Sequence, residues 1–167
     1  KLLEELKNYL YSIYNNSSSF YSYFARPILN FETPLSMFAN FVVSKKDHKN
    51  ELDIKKGGIF AIVHGVRSLS LEYNIYETNT VERLKELNNK DLLDRETTSE
   101  LIEAFNFLLT LRLKARLSKI DSNKPLDNYI NPSKLNTLEK DLLRDSFKIV
   151  DNFKKHLRYH YKLDILS

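Results

Sequence analysis

Two lysines and two glycines stand together at the start of an apolar, helix-like stretch of this 167-residue chain. The segment Asp53 to Gly58 contains both pairs, and Gly65 is the only other glycine. Paired glycines allow a sharp bend or a close approach to the backbone. A helix that begins there presents free N–H groups and a positive dipole end, which together favour an anion. The alternative is a simple turn between a strand and a helix, with solvated lysines.

Three arginines extend this set of cations. Arg67 lies beside apolar neighbours on the following helix, where it either pairs with a buried acid or faces a ligand. Arg83 falls in the first turn of a helix capped by Asn79 or Thr80, where the dipole disfavours a cation unless a carboxylate or phosphate meets it. Solvent exposure of Arg83 is the alternative. Arg112 begins a basic stripe, and most such stripes are solvated faces.

The residues needed for catalysis are missing from the sequence. Magnesium-dependent nucleotidyl transfer needs clustered carboxylates, but the chain has no Gly-Ser pair, no Asp-x-Asp and no Walker lysine loop. No serine stands in a nucleophile elbow, and the absence of cysteine excludes thiolate chemistry. His156 and His160 are one helical turn apart, but Leu157 stands where the zinc-protease motif has glutamate, so we expect no metal site.

Length and composition indicate one soluble domain. No run of about 18 uncharged apolar residues exists, so we predict no membrane span and a cytoplasmic location. The chain starts at Lys1 within an amphipathic pattern, and we expect it to be a fragment of a longer protein. Its 26 basic and 22 acidic residues are interspersed, which makes nucleic acid the least favoured partner.

Apolar periodicity predicts a mainly α fold, a helical bundle built on two long antiparallel helices with shorter helices and one extended arm or short hairpin. The long helices are predicted at 97–121 and 137–161, the second with a capping box of Asn136 and Glu139. The shorter ones are predicted at 1–14, 18–29, 59–74 and 79–89. The single domain then comprises N-terminal helices (1–30), an extended arm (31–58) and the bundle (59–167).

The arm contains two short apolar runs, at 41–43 and 52–54, that flank a polar stretch. This pattern fits a short hairpin or an irregular arm lying against the helices. Strand alternation would place Asp53 and Lys55 on the same face.

The order of several motifs resembles one known domain. The motifs are Met37 to Val43, Leu52 to Gly58, Ile62 to Arg67, Thr78 to Leu84, Glu103 to Leu113 and Asp127 to Pro132. In this order they resemble the C-terminal, putative substrate-binding domain of bacterial nucleotidyltransferase-like signalling proteins that also carry CBS and cyclic-nucleotide-binding domains. The resemblance covers about Pro27 to Leu157.

The resemblance implies a helical domain that follows a nucleotidyltransferase domain in the same chain. The upstream domain would hold the catalytic carboxylates, Mg²⁺ and nucleoside triphosphate, and this fragment would bind no cofactor of its own. The matching positions, which we take as substrate-binding candidates, are Asp53, Lys55, Lys56, Gly57, Gly58, Arg67, Asn79, Thr80, Arg83 and Arg112. The sequence departs from the family pattern at Ala61, His64 and Arg116. The individual substrate contacts of the family therefore do not carry over directly to this chain.

Two functional hypotheses follow. In the first, the domain is non-catalytic and helps bind a nucleotide or an acceptor protein: Lys55, Lys56 and the amides of residues 58 to 60 meet phosphate, and Asp53 orients a lysine. In the second, the domain is a structural module without a ligand. Asp53, Arg67 and Arg83 then form interior ion pairs, and the aromatic N-terminal helices dock onto a regulatory domain. Exposure of these charges distinguishes the two hypotheses.

Overall fold

The computed structural model describes residues 1–14, 17–36 and 38–166, so Met37 of the first motif lies outside the described residues. In these ranges the chain is mainly helical, as predicted. The six α-helices are α1 (Leu2–Tyr14), α2 (Ser18–Ala25), α3 (Phe60–Glu72), α4 (Thr80–Asn89), α5 (Arg95–Asp121) and α6 (Thr137–His160). The short segments are β1 (Leu52–Asp53), β2 (Tyr129–Ile130), a π-helical turn (Lys55–Ile59) and three 3₁₀ turns (Arg26–Asn30, Pro132–Lys134 and Leu163–Leu166).

The two long helices, α5 and α6, pack against each other in antiparallel directions. Lys114, late in α5, forms an ion pair of 2.5 Å with Glu139, early in α6. At the other end, Leu101 of α5 and Phe153 of α6 line the same small cavity. The predicted capping box is present, with Asn136 and Glu139 each accepting a backbone N–H from the other. These findings confirm the predicted pair of helices.

Helix α3 and the π turn that precedes it pack closely against this pair, and two of the three glycines make the approach possible. A Cβ atom on Gly58 would lie 2.8 Å from Leu108 of α5, and one on Gly65 would lie 2.3 Å from Leu157 of α6. Neither glycine adopts a positive φ. The glycines are therefore required by close packing and not by an unusual backbone conformation.

Two predicted helices differ from the structure, one at its C-terminal end and the other at its start. Helix α2 ends at Ala25 and continues as a 3₁₀ turn, because Pro27 has no N–H to donate to the preceding turn. The helix predicted from 59 begins earlier, since the π turn at Lys55–Ile59 leads directly into α3. The strand alternation expected for Asp53 and Lys55 is therefore wrong, because Lys55 is already helical.

The arm is irregular, and its two apolar runs do not pair with each other. Leu52–Asp53 pairs antiparallel with Tyr129–Ile130 from the connection between α5 and α6. The intervening polar stretch closes through a 2.8 Å hydrogen bond that the N–H of Ser44 donates to the carbonyl of Glu51. Of the two predicted forms of this segment, the structure contains the irregular arm. None of the described helices is long and apolar enough to cross a membrane.

Candidate functional site

The ten candidate residues lie in two groups near opposite ends of α3. The first group surrounds the π turn and consists of Asp53, Lys55, Lys56, Gly57, Gly58 and Arg112. The second lies where α3 packs against α4 and consists of Arg67, Asn79, Thr80 and Arg83. Lys55 and Arg67 are separated by roughly 18 Å along the helix axis, at 1.5 Å per residue. The candidates therefore do not form one site.

In the first group, the side chain of Asp53 caps the start of the π turn by accepting hydrogen bonds from backbone N–H groups. Its Oδ1 accepts from the N–H groups of Lys55 at 3.0 Å and Lys56 at 2.9 Å. These are the first amides of the helical segment, so the carboxylate takes the place that an anion would occupy at its start. Of the amides of residues 58 to 60, which were expected to meet phosphate, that of Phe60 donates to the carbonyl of Lys55. Asp53 contacts the amides and not a lysine ammonium group, which differs from its expected role of orienting a lysine.

The two lysine side chains of this turn are exposed. The ammonium of Lys56 lies 5.4 Å from the centre of the Phe31 ring, in a cation–π contact. The adjacent Gly57 is buried, and a Cβ on it would lie 2.6 Å from Pro34 of the arm. The protein's own side chains therefore occupy the space beside both Gly57 and Gly58.

Arg112 connects α5 to the β1–β2 pair. Its Nε donates a 2.7 Å hydrogen bond to Oδ1 of Asn128, and the carbonyl of Asn128 accepts from the N–H of Ile54 at 3.0 Å. Arg112 is thus half-buried and engaged with a neutral side chain. Its contacts hold the π turn in position against α5.

The second group is organised by the cap of α4. Oδ1 of Asn79 accepts from the N–H groups of Val81 at 2.8 Å and Glu82 at 3.3 Å, which confirms Asn79 as the N-cap. Thr80 follows as the first helical residue. Half-buried Arg83, in the first turn, donates from Nε to the carbonyl of Glu77 at 2.6 Å. This carbonyl is a neutral partner, and the charge of the Glu77 side chain offsets the guanidinium charge in part without forming an ion pair.

Arg67 projects from α3 toward the same region, and the two guanidinium groups repel each other. Burial and the charge of Arg67 lower the pKa of Arg83, although an arginine stays charged at neutral pH. Arg67 is exposed and, within the described residues, has no hydrogen-bond or ion-pair partner. Two like charges are thus held together without a carboxylate bonded to either among the residues that the structure describes.

Helix α1 lies beside these arginines and is joined to the α3–α4 connection by polar contacts. The Tyr11 hydroxyl donates to the carbonyl of Ile75 at 2.9 Å, and the Tyr76 hydroxyl donates to Oδ1 of Asn8 at 2.7 Å. Lys7 also donates to the carbonyl of Tyr76. Sequence reasoning missed these neighbours, because contacts between residues more than 60 positions apart leave no local pattern.

The interior ion pairs expected of a structural module are not formed within the described part of the chain. Asp53 bonds to amides, Arg67 is exposed, and Arg83 bonds to a carbonyl. The exposure of Lys55 and Arg67 agrees with the binding hypothesis, although the separation of the two groups does not.

Two of the three departures from the family pattern are accounted for by packing. Ala61 is buried in the core. His64 stacks between Phe24 and Phe60 at centroid distances of 5.2 and 5.3 Å, and its Nε2 lies 2.7 Å from the carbonyl of Phe24. Burial lowers the pKa of His64, and the charge of Arg67 lowers it further. The third departure, Arg116, is half-buried.

The residues described here form no cluster of three or more histidine, cysteine or acidic side chains that could hold a metal ion. His160 Nε2 contacts Glu72 at 2.8 Å, and the rings of His156 and His160 are stacked. The histidine pair thus takes part in ordinary packing contacts.

Comparison with protein families gives one match, over residues 18–161, to the family described as "putative nucleotidyltransferase substrate binding domain". The chain belongs to this family. No curated protein and no solved structure matches it. The family match includes both groups of candidate residues and the α3–α4 connection, and all of α1 lies outside it.

Proposed function

We propose that this domain is the non-catalytic, substrate-binding part of a nucleotidyltransferase, in which Arg67 and Arg83 hold the polyphosphate of a nucleotide. The catalytic carboxylates would belong to an upstream domain of the same protein. The family description supports the role, and one structural observation supports the location. That observation is the pair of neighbouring arginines, neither of which is bonded to a carboxylate in the described residues.

Guanidinium groups suit this role for a specific reason. Arginine presents planar donors that match phosphate oxygens, and hydrogen bonds between charged groups are stronger than neutral ones. Arg83 is half-buried with its Nε held by Glu77, so its orientation is fixed before a ligand arrives. Arg67 is exposed and free to close on an anion. A phosphate between them would also remove their mutual repulsion.

The metal requirement of such an enzyme would be met elsewhere. Mg²⁺ prefers several oxygen ligands including carboxylates, and the described residues contain no suitable cluster. The residues that the structure describes therefore do not fit a Mg²⁺ site. In the proposed arrangement they contribute positive charge and orientation, and the upstream domain contributes the ion.

A second candidate function, docking without a ligand, is favoured by the outer face of α1. Its polar residues Lys7, Asn8 and Tyr11 contact the rest of the domain, whereas its leucines face outward. Leu2 is 79% exposed and Leu6 is 61% exposed. As a docking module, the domain would use this face against a regulatory domain or an acceptor protein.

Titration with polyphosphate, followed by calorimetry, tests the proposed function. Sodium tripolyphosphate and ATP should both bind the wild-type chain at low ionic strength. Arg67→Gln should weaken tripolyphosphate binding by about tenfold, because it removes one charge-assisted contact. Lys55→Gln is the matched control, since it removes one exposed charge at the opposite end of α3 and should leave the affinity almost unchanged.

The alternatives predict different results. Equal weakening by both substitutions would show attraction by net charge alone and would contradict the proposal. Failure of the wild-type chain to bind either polyanion would also contradict it and would leave docking through α1 as the better account.

A further inference from the structure

A cavity that is lined by neither arginine of the proposed pair lies between the C-terminal half of α5 and the connection that leads to α6. Its volume is about 320 Å³, within the range of small-molecule sites. Leu111, Ala115 and Leu135 provide apolar lining, and Ile130 of β2 also lies at the wall. Four lysines line the same cavity: Lys114, Lys119, Lys124 and Lys134.

Two of the four lysine charges are already compensated. Lys114 pairs with Glu139, and Lys119 pairs with Asp127 while also donating to the carbonyl of Tyr129 at 2.7 Å. Burial alone would raise the pKa of Asp127, but the hydrogen bonds from Lys119 and from the N–H of Tyr129, together with the charge of Lys119, hold that pKa below its usual value. These pairs fix the positions of the wall residues.

The other two lysines leave a local excess of positive charge. Within the described residues, neither the Lys124 nor the Lys134 ammonium has a hydrogen-bond or ion-pair partner. The carboxylate of Glu51 also lines the cavity and contacts Nδ1 of His48 at 3.2 Å, which is an ion pair only when that imidazole is protonated. Glu51 therefore offsets one of the two lysine charges, and one positive charge remains in excess beside the apolar lining.

We propose that this cavity binds a small organic phosphate with an apolar body. A phosphate monoester is close to dianionic at neutral pH and carries three strong acceptor oxygens, which matches two free ammonium groups. Its organic part would lie against Leu111, Ala115 and Leu135, where burial of apolar surface is favourable. The hydroxyls of Ser118 and Ser122 and the amide of Asn131 also line the cavity and offer further hydrogen bonds to the phosphate.

The combination of charge and apolar lining distinguishes this cavity from the arginine pair. Arg67 and Arg83 present charge on an open surface, which suits a polyphosphate chain. The lysine cavity requires both parts of an amphiphilic ligand, so inorganic phosphate or an uncharged ring compound alone should bind poorly. The inference is independent of the proposed function, since the two sites share no residue.

Amide NMR during titration with 1-naphthyl phosphate tests the inference. Shifts should concentrate at Ala115, Asn131 and Leu135, and both inorganic phosphate and 1-naphthol should bind at least about tenfold more weakly. The double variant Lys124→Gln/Lys134→Gln should raise the Kd for 1-naphthyl phosphate by about tenfold.

Two controls separate a specific site from general attraction. Lys45→Gln/Lys90→Gln removes the same charge from two exposed lysines outside the cavity and should leave the Kd unchanged. Arg67→Gln should also have no effect, which separates this cavity from the arginine pair. Ala115→Leu fills the cavity without a change of charge and should abolish the shifts caused by 1-naphthyl phosphate.

Several results would overturn the inference. They are shifts spread over the surface without concentration at the cavity, equal weakening by the two double variants, and binding of inorganic phosphate as tight as that of its naphthyl ester.

Discussion

The two ends of α3 carry similar positive charge but differ in the contacts that their residues make. At the π turn, Asp53 bonds the first amides and Gly58 is pressed against α5. At the α4 end, Arg67 and Arg83 are near enough for their charges to interact, and neither is bonded to a carboxylate in the described residues. The glycine-lysine segment is the more conspicuous in the sequence, yet its first amides are already capped, whereas the less conspicuous arginines have no bonded carboxylate in the described residues.

Under the proposed function, the type of residue is a weaker guide to an anion site than the contacts that the residue already makes. A free N–H at a helix start attracts anions only while no side chain caps it. A guanidinium group is available when its neighbours leave its charge uncompensated. The following predictions test two points. The first is whether the π turn serves to stabilise the fold, and the second is whether the charge of the arginine pair is available to an anion.

The largest expected effect is loss of stability in Gly58→Ala. The new Cβ would lie 2.8 Å from Leu108 and 3.2 Å from Phe147, so packing strain should lower the free energy of unfolding by about 1–2 kcal/mol even after the gain in helix propensity. Urea denaturation measures this change. Tripolyphosphate affinity at a temperature where the variant is folded should be unchanged.

The Leu108→Ala substitution provides the control for that prediction. It should destabilise the Gly58→Ala protein less than the wild type, because it removes the atom that the new methyl group meets. Strictly additive effects would show that Leu108 is not the source of the strain.

A smaller loss is expected when the cap of the π turn is removed. Asp53→Ala leaves two N–H groups without their acceptor and should cost about 1 kcal/mol, measured by thermal unfolding. Asp53→Asn keeps a capping oxygen and should retain most of the stability. Should Asp53→Ala instead raise tripolyphosphate affinity about tenfold, the π turn would be an anion site that its own carboxylate blocks.

The smallest expected effect is a change in the pKa of His64, which responds to the nearby charge of Arg67. Because the pKa of folded His64 is lowered, the unfolded chain binds more protons below about pH 6.5, and His64 should make the protein less stable as the pH falls. Arg67→Gln should raise the pKa of His64 and reduce that loss. NMR titration of the His64 ring measures the shift, and Lys55→Gln should not reproduce it. An unchanged pKa in Arg67→Gln would mean that the Arg67 charge is not felt at this position.

Local patterns were sufficient to predict most of the helices. The leucine spacing of α5 and the Asn136–Glu139 box of α6 encode structure within a few residues, and both predictions are confirmed. The pairing of Leu52–Asp53 with Tyr129–Ile130 was not predictable, because two-residue strands carry almost no periodic signal and their partner lies over 70 positions away.

The candidate site was predictable in residue type but not in arrangement. The sequence places Arg67 and Arg83 on adjacent helices, but their proximity depends on how α3 packs against α4. The roles of Gly57 and Gly58 also depend on distant residues, since Pro34 and Leu108 press against them. The cap at Asn79 was the one contact in this group that local spacing determined.

The π turn at Lys55–Ile59 sets the rotational phase of the helix that follows it. One residue corresponds to about 100° of rotation around an α-helix. Deletion of a single residue from this turn would therefore rotate Gly65 away from α6 and Arg67 away from Arg83 together, if β1 stayed paired with β2. The number of residues between Asp53 and Arg67 therefore matters as much as which residues they are. Deletion of one of them would separate Arg67 from Arg83 without replacing either arginine.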